Sequence, residues 1–215
     1  MRTLFHFPLS PFSRCARLAL GHKKLEVTLK DGRADAAVHE EAKRLWPLKT
    51  LPVLVEPSGR ALGDSLAIAH YLDAAYPDAP RIWPADPGAL LTAVEVTTLV
   101  NGALDALINT ATRYYATRTH AEWPAIQREM VGRAQSALDA LGERAAARGT
   151  RTLTDAGWCA ADMWLFSAAV WLDGLPARKG VPNIDQLLSL AWVLPAPIRT
   201  WADAFRAYDD HGGGK

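Results

Sequence analysis

Ser10-Pro11-Phe12-Ser13 has the outline of a redox Cys-Pro-x-Cys turn with oxygen in place of both sulfurs. Hydroxyls cannot form a disulfide, so the turn has no thiol chemistry of its own. It can still hold a charge. Pro11 suits the first turn of a helix, where its missing N–H is no loss, and Ser10 then falls just before the helix begins. That place carries roughly half a positive charge and unpaired backbone N–H groups. Ser is a preferred helix cap, so capping alone would account for it. The chemical alternative is a donor aimed at a thiolate that a bound substrate supplies. A hydrogen bond to a charged group contributes about 1.5–3 kcal/mol, and one pKa unit corresponds to about 1.36 kcal/mol. One hydroxyl and the helix dipole would bring a thiol from about 8.5 to roughly 6.5–7.5, leaving much of it ionised at neutral pH.

The elements that must position this turn are legible around it. Residues 3–7 form a short β-like run, and residues 13–21 show helical apolar spacing closed by Gly21. Residues 25–30 alternate as a strand, and residues 36–46 are weakly helical up to Pro47. The segments PVLVEP and RALG, separated by Ser58-Gly59, read as a hairpin, and residues 65–76 as a strong amphipathic helix. The order is β-α-β-α-β-β-α within residues 1–76. Residues 77–88 are proline-rich and read as a linker, since proline continues neither helix nor sheet. Residues 89–215 carry only helical patterning, over 90–119, 125–148, 160–172, 184–191 and 198–208. The predicted fold is thus an α/β domain followed by an all-α one, with no internal repeat. The tail, residues 211–215, is expected to be mobile.

Composition sets the outer limits. At 215 residues the chain can bury a sizeable core, and 49% apolar residues argue against disorder. A net charge of +1 offers no footprint for nucleic acid. Two cysteines, Cys15 and Cys159, make no disulfide framework and suit a reducing cytoplasm. No window approaches the roughly 18 apolar residues of a membrane span, so no membrane association is expected. The six histidines show no HExxH or paired spacing for zinc, and no phosphate loop points to a nucleotide cofactor.

Taken together, the Ser10 turn with Arg17 seven residues on, Leu51-Pro52 before a strand, and Asp64-Ser65 opening a helix resemble the glutathione S-transferases. The helical second half after a linker fits as well, so the resemblance covers nearly the whole chain. It implies a thioredoxin-like first domain, an all-α second domain, a cytosolic homodimer of the detoxification type, and glutathione as cosubstrate with no separate cofactor or metal. Ser10 then stands where serine-type members place the hydroxyl that stabilises glutathione thiolate. Omega-type relatives carry Cys there, so thiol–disulfide exchange should be weak. Ser13 is expected to stabilise the helix. Leu51-Pro52 resembles the family's cis-proline, whose preceding residue pairs through its backbone with the cysteinyl amide; without the resemblance a trans bond would be the default.

Asp64-Ser65 stands where relatives usually carry Glu-Ser or Gln-Ser. A helix start suits the γ-glutamyl carboxylate, and the acidic side chain suits the γ-glutamyl ammonium. Lys49, with Thr50 beside it, is the candidate for the glycyl carboxylate, ahead of His39 and Lys43. The resemblance puts a second-substrate pocket between Leu9 and Phe12 and the first helix of the second half. There Asn101, Asp105, Ile108 and Thr112 share one helical face, and Tyr114 and Tyr115 are candidates for stacking on the electrophile. Cys159 and Asp162 resemble the family's buried capping box, with a thiol in place of the usual hydroxyl, and Asp162 is expected to serve folding rather than chemistry. Two rivals share the fold. One is a glutathione-binding or protein-interaction member without turnover, and the other a zeta-type isomerase of unsaturated diacids. Gly63-Asp64-Ser65-Leu66 spells a serine-hydrolase signature, but no Asp-x-x-His follows near the end to activate the serine.

Overall fold

In the computed structural model, which describes residues 1–211, the chain begins as the hydrophobic periodicity predicts. β1 (Arg2–His6), α1 (Pro11–His22), β2 (Val27–Asp31), α2 (Ala36–Leu45), β3 (Val53–Val55), β4 (Ala61–Gly63) and α3 (Ser65–Ala75) follow in order. The sheet runs β2-β1-β3-β4. β1 and β2 are parallel, which requires the crossover that α1 supplies, whereas β1–β3 and β3–β4 are antiparallel. This is a thioredoxin-like mixed sheet. Gly63 closes β4 beneath the Trp46 indole, and any side chain at that position would run into the ring.

The helical half comprises α4 (Pro87–Thr117), α5 (Trp123–Arg148), α6 (Ala160–Asp173), α7 (Pro182–Ser189) and α8 (Ala196–Asp203). α4 starts inside the segment read as linker, because Pro87 takes the tolerated first helical position and Asp86 caps it, accepting the Ala89 N–H at 2.8 Å. The helix expected over 198–208 instead stops at Asp203 and resumes as a 3₁₀ turn, Arg206–His211. Phe205 and Tyr208, three apart, are thereby drawn to Trp158, with centroid separations of 5.3 and 4.1 Å. Residues 212–215 of the tail lie outside the described residues, as does the side chain of Tyr115.

One core unites the halves. Leu4, Leu18, Ile68 and Leu72 of the first part join Val96, Leu104, Trp164 and Trp201 of the second in one buried cluster. α6 is buried nearly all round, the pattern of a helix through the middle of a core. The proline-rich connector is itself packed. Asp73 accepts the N–H groups of Ile82 and Trp83 at 2.9 and 2.8 Å and pairs with buried Lys23 at 2.6 Å. α4 corrects one expectation: by length and composition it is apolar enough to cross a bilayer. Here its apolar face, including Val96, Val100, Leu104 and Leu107, is buried in that core.

Candidate functional site

Strand register gathers residues that are far apart in sequence. Phe5 pairs with Val53, and Val53 with Gly63, so these three form one row across β1, β3 and β4. Just beyond that row, at one end of the sheet, lie the loop carrying Ser10, the Leu51-Pro52 pair and Asp64-Ser65. β2 runs parallel to β1, with His6 opposite Asp31, and so delivers Gly32-Arg33 to the same end.

Ser10 caps α1, its Oγ accepting the Ser13 N–H at 3.3 Å. That bond occupies a lone pair and leaves the hydroxyl proton available, so capping and donating are compatible at one oxygen. The loop is held from beneath. Buried Ser13 accepts the Phe7 N–H at 3.1 Å, and Arg17 binds His6 Nδ1 at 3.1 Å and the Pro8 carbonyl at 3.0 Å. Burial, then the Arg17 charge, push His6 down from 6.5 to about 4.

That shift has a testable sign. The unfolded chain takes up this proton first as pH falls. The His6 contribution is therefore intact above about pH 6.5 and lost on acidification towards 4, by roughly 3 kcal/mol. His6→Asn, which keeps an acceptor for Arg17, is expected to flatten that slope in urea titrations run from pH 7 to pH 4.

The Leu51-Pro52 bond is cis, and Leu51 lies just outside the paired register of β3. Asp64 caps α3 at φ 72°, its Oδ1 accepting the N–H groups of Leu66 and Ala67 at 2.7 and 3.1 Å. Ser65, buried at the first helical position, has neither its N–H nor its hydroxyl engaged by another described residue. Lys49 is exposed at φ 55° with Thr50 exposed beside it, whereas Lys43 is paired with Glu40 at 2.8 Å.

A cavity of about 520 Å³ opens beside Ser10. Leu9, Phe12, Ile108 and Thr112 line it, whereas Asn101 and Asp105 do not. Seven residues of helix rise about 10 Å, so one face of α4 outruns the cavity. Asn101 Oδ1 instead accepts the Trp164 indole N–H at 3.1 Å, and Asp105 stands near enough to Asp64 for burial and that charge to raise its pKa. Tyr114 is not in the lining; the Arg118 guanidinium lies over its ring at 5.8 Å. The walls that sequence reasoning missed are Phe7, Trp171, Ile184 and Leu187, with Arg33, Arg178 and Lys179. Arg178 closes a short 3₁₀ turn, Pro176–Arg178, and Lys179 follows it; an Arg-Lys pair before a glycine reads in sequence as ordinary solvated surface.

Both thiols are buried, and burial pushes Cys15 up to about 12 and Cys159 up to about 11. Neither is a nucleophile at neutral pH. Among the described residues no group of three or more His, Cys, Asp or Glu is placed to hold a metal ion.

Known proteins share this fold. The profile described as "Glutathione S-transferase, N-terminal domain" matches residues 4–80. A glutathione S-transferase from Methylobacterium radiotolerans, solved with glutathione sulfonate, superposes with a TM-score of 0.73 at 23% identity, covering 100% of this chain and 95% of that one. One from Methylobacillus flagellatus with glutathione bound gives 0.73 at 20% identity, covering 100% of both chains. A bacterial zeta-class maleylpyruvate isomerase gives 0.69 at 20% identity, covering 98% and 96%. A comparison with curated protein sequences finds no match. The likeness to solved structures establishes the fold over the whole length, and residues 4–80 match the N-terminal domain of the glutathione S-transferases.

Proposed function

We propose that the chain is a serine-type glutathione transferase, which binds glutathione at the sheet edge and adds its sulfur to a small electrophile in the neighbouring cavity. The observation that carries this reading is the strand register, which sets a hydroxyl with a free proton, a cis-proline edge and an open helix start side by side. In this reading Ser10 donates to the thiolate. The Leu51 backbone, presented by Pro52, pairs with the cysteinyl amide. The Ser65 N–H and hydroxyl receive the γ-glutamyl carboxylate. Lys49, with Thr50, takes the glycyl carboxylate. The thiolate forms the S–C bond while a leaving group departs with its electron pair. On an activated alkene, the adjacent carbon instead takes a proton from water. The glutathione complexes of the two transferases above support the cosubstrate.

Asp64 and Asp105 give the reading a sharper point. Neither is in an ion pair among the described residues, and the charge of Asp64 bears on Asp105. An arriving ammonium would relieve that repulsion, so Asp105 joins Asp64 as a ligand for the γ-glutamyl amine. Asn tolerates both a helix cap and positive φ. Asp64→Asn is therefore expected to keep stability and to weaken glutathione binding about tenfold by titration calorimetry. A wild-type chain that takes up no glutathione would overturn the proposal, and binding without turnover on a panel of electrophiles would leave only the binding half. A homodimer in the cytosol completes the reading, supported by exposed Leu91 and Val94 on α4 and by two unpaired thiols.

A further inference from the structure

The cavity beside Ser10 has apolar walls and three cations, Arg33, Arg178 and Lys179, with no carboxylate in its lining. Arg33 arrives from the loop after β2, while Arg178 and Lys179 come from the turn after α6. Among the described residues none of the three is in an ion pair. The acids nearest in sequence are engaged elsewhere. Asp31 accepts the backbone N–H groups of Arg33 and Ala34 at 2.8 and 3.2 Å, Asp35 that of Ala37 at 2.8 Å and Asp185 that of Gly180 at 2.9 Å, while Asp173 pairs with Arg199 at 2.9 Å.

Two of the cations are held in place. Arg178 donates from Nε to the Gly174 carbonyl at 3.1 Å and from Nη2 to the Trp171 carbonyl at 2.9 Å, which fixes its guanidinium and leaves Nη1 free. The Arg33 guanidinium lies over the Phe7 ring at 4.8 Å. Burial, then the like charge of Arg14, hold the Arg178 pKa below its usual value; Arg14 itself is paired with Asp209 at 3.0 Å. Val181 and Asn183, at the start of α7, line the cavity beside these three cations. A wholly apolar occupant would displace water from these groups and return nothing for it.

We infer that the second substrate is an anionic electrophile, a small apolar body with a carboxylate that Arg33, Arg178 and Lys179 receive while its reactive carbon meets the sulfur beside Ser10. This rests on the glutathione reading and narrows its second substrate. Phe12, Ile108, Trp171 and Leu187 supply the wall for the apolar part.

Titration calorimetry with S-(para-carboxybenzyl)glutathione and S-benzylglutathione tests it, because the two differ by one carboxylate and need no turnover. The carboxylated conjugate is expected to bind about tenfold tighter or more. In the double variant Arg33→Gln, Lys179→Gln that advantage should shrink severalfold, with Arg178 alone remaining, while affinity for S-benzylglutathione holds. Equal or weaker binding of the carboxylated conjugate, or an advantage undiminished in the double variant, overturns the inference. If glutathione and both conjugates fail to bind, it is the glutathione reading that falls. The anion preference is then read with free para-methylbenzoate against para-methylbenzamide, and the absence of a preference overturns the inference as well.

Discussion

Ser10→Ala is expected to lower glutathione conjugation by about 10- to 100-fold while the chain stays folded, since one donor to a developing or settled anion contributes about 1.5–3 kcal/mol. The same oxygen caps α1, so the substitution also costs about 1 kcal/mol of stability. The two effects separate in measurement. Stability is read by urea unfolding. The catalytic part is read from the ultraviolet absorbance of bound thiolate as pH is varied. The bound thiol should titrate at roughly 6.5–7.5 in the wild type and move up towards, but short of, the free value of about 8.5 in the variant, which keeps the helix dipole. A variant that loses the stability increment yet keeps full activity and an unmoved thiol titration would make Ser10 a cap and nothing more. Ser13 offers the control. Its hydroxyl is fully buried against the Phe7 N–H, so it cannot stand in for Ser10 at the ligand.

Asp162→Ala carries the largest expected loss of stability. The side chain is wholly buried at the start of α6, with Oδ1 accepting the Leu153 N–H at 2.7 Å and Oδ2 the Cys159 N–H at 3.0 Å. Truncation strands two buried donors at about 1–3 kcal/mol each. For a chain of this length that lowers Tm by about 10 °C, measurable by calorimetry. Asp162→Asn keeps one acceptor and should fall between. Burial raises the Asp162 carboxyl to about 6, so the folded chain holds its proton while the unfolded chain releases it. Stability from this residue therefore declines as pH rises from about 4 to 6, opposite in sign to the His6 slope. A Tm unchanged in Asp162→Ala would show that α6 is held by apolar packing alone.

Much of the first half was legible because its signals are local. Pro11 after Ser10 marks a helix start, Ser58-Gly59 a hairpin, and Pro47 the end of a helix, each acting within a few residues. The role of Asp162 was equally legible, since the cap it forms is three residues long. The split of the last helix was not. What tightens residues 206–211 is the stacking of Tyr208 on Trp158, which is distant in sequence. α4 misled in the other direction, since hydropathy counts apolar residues without knowing what covers them.

The site divides along the same line. The sequence by itself determined the chemical types, a hydroxyl at a helix mouth and an acid and a serine at another, because capping and helix entry depend on neighbours along the chain. Only the tertiary structure decided that they share one edge, through the Phe5–Val53–Gly63 row, and that Arg33, Arg178 and Lys179 line the adjoining cavity while Asn101 and Asp105 do not. Strand register and helix docking are settled by burial between segments far apart in sequence, and no short window of residues carries that information.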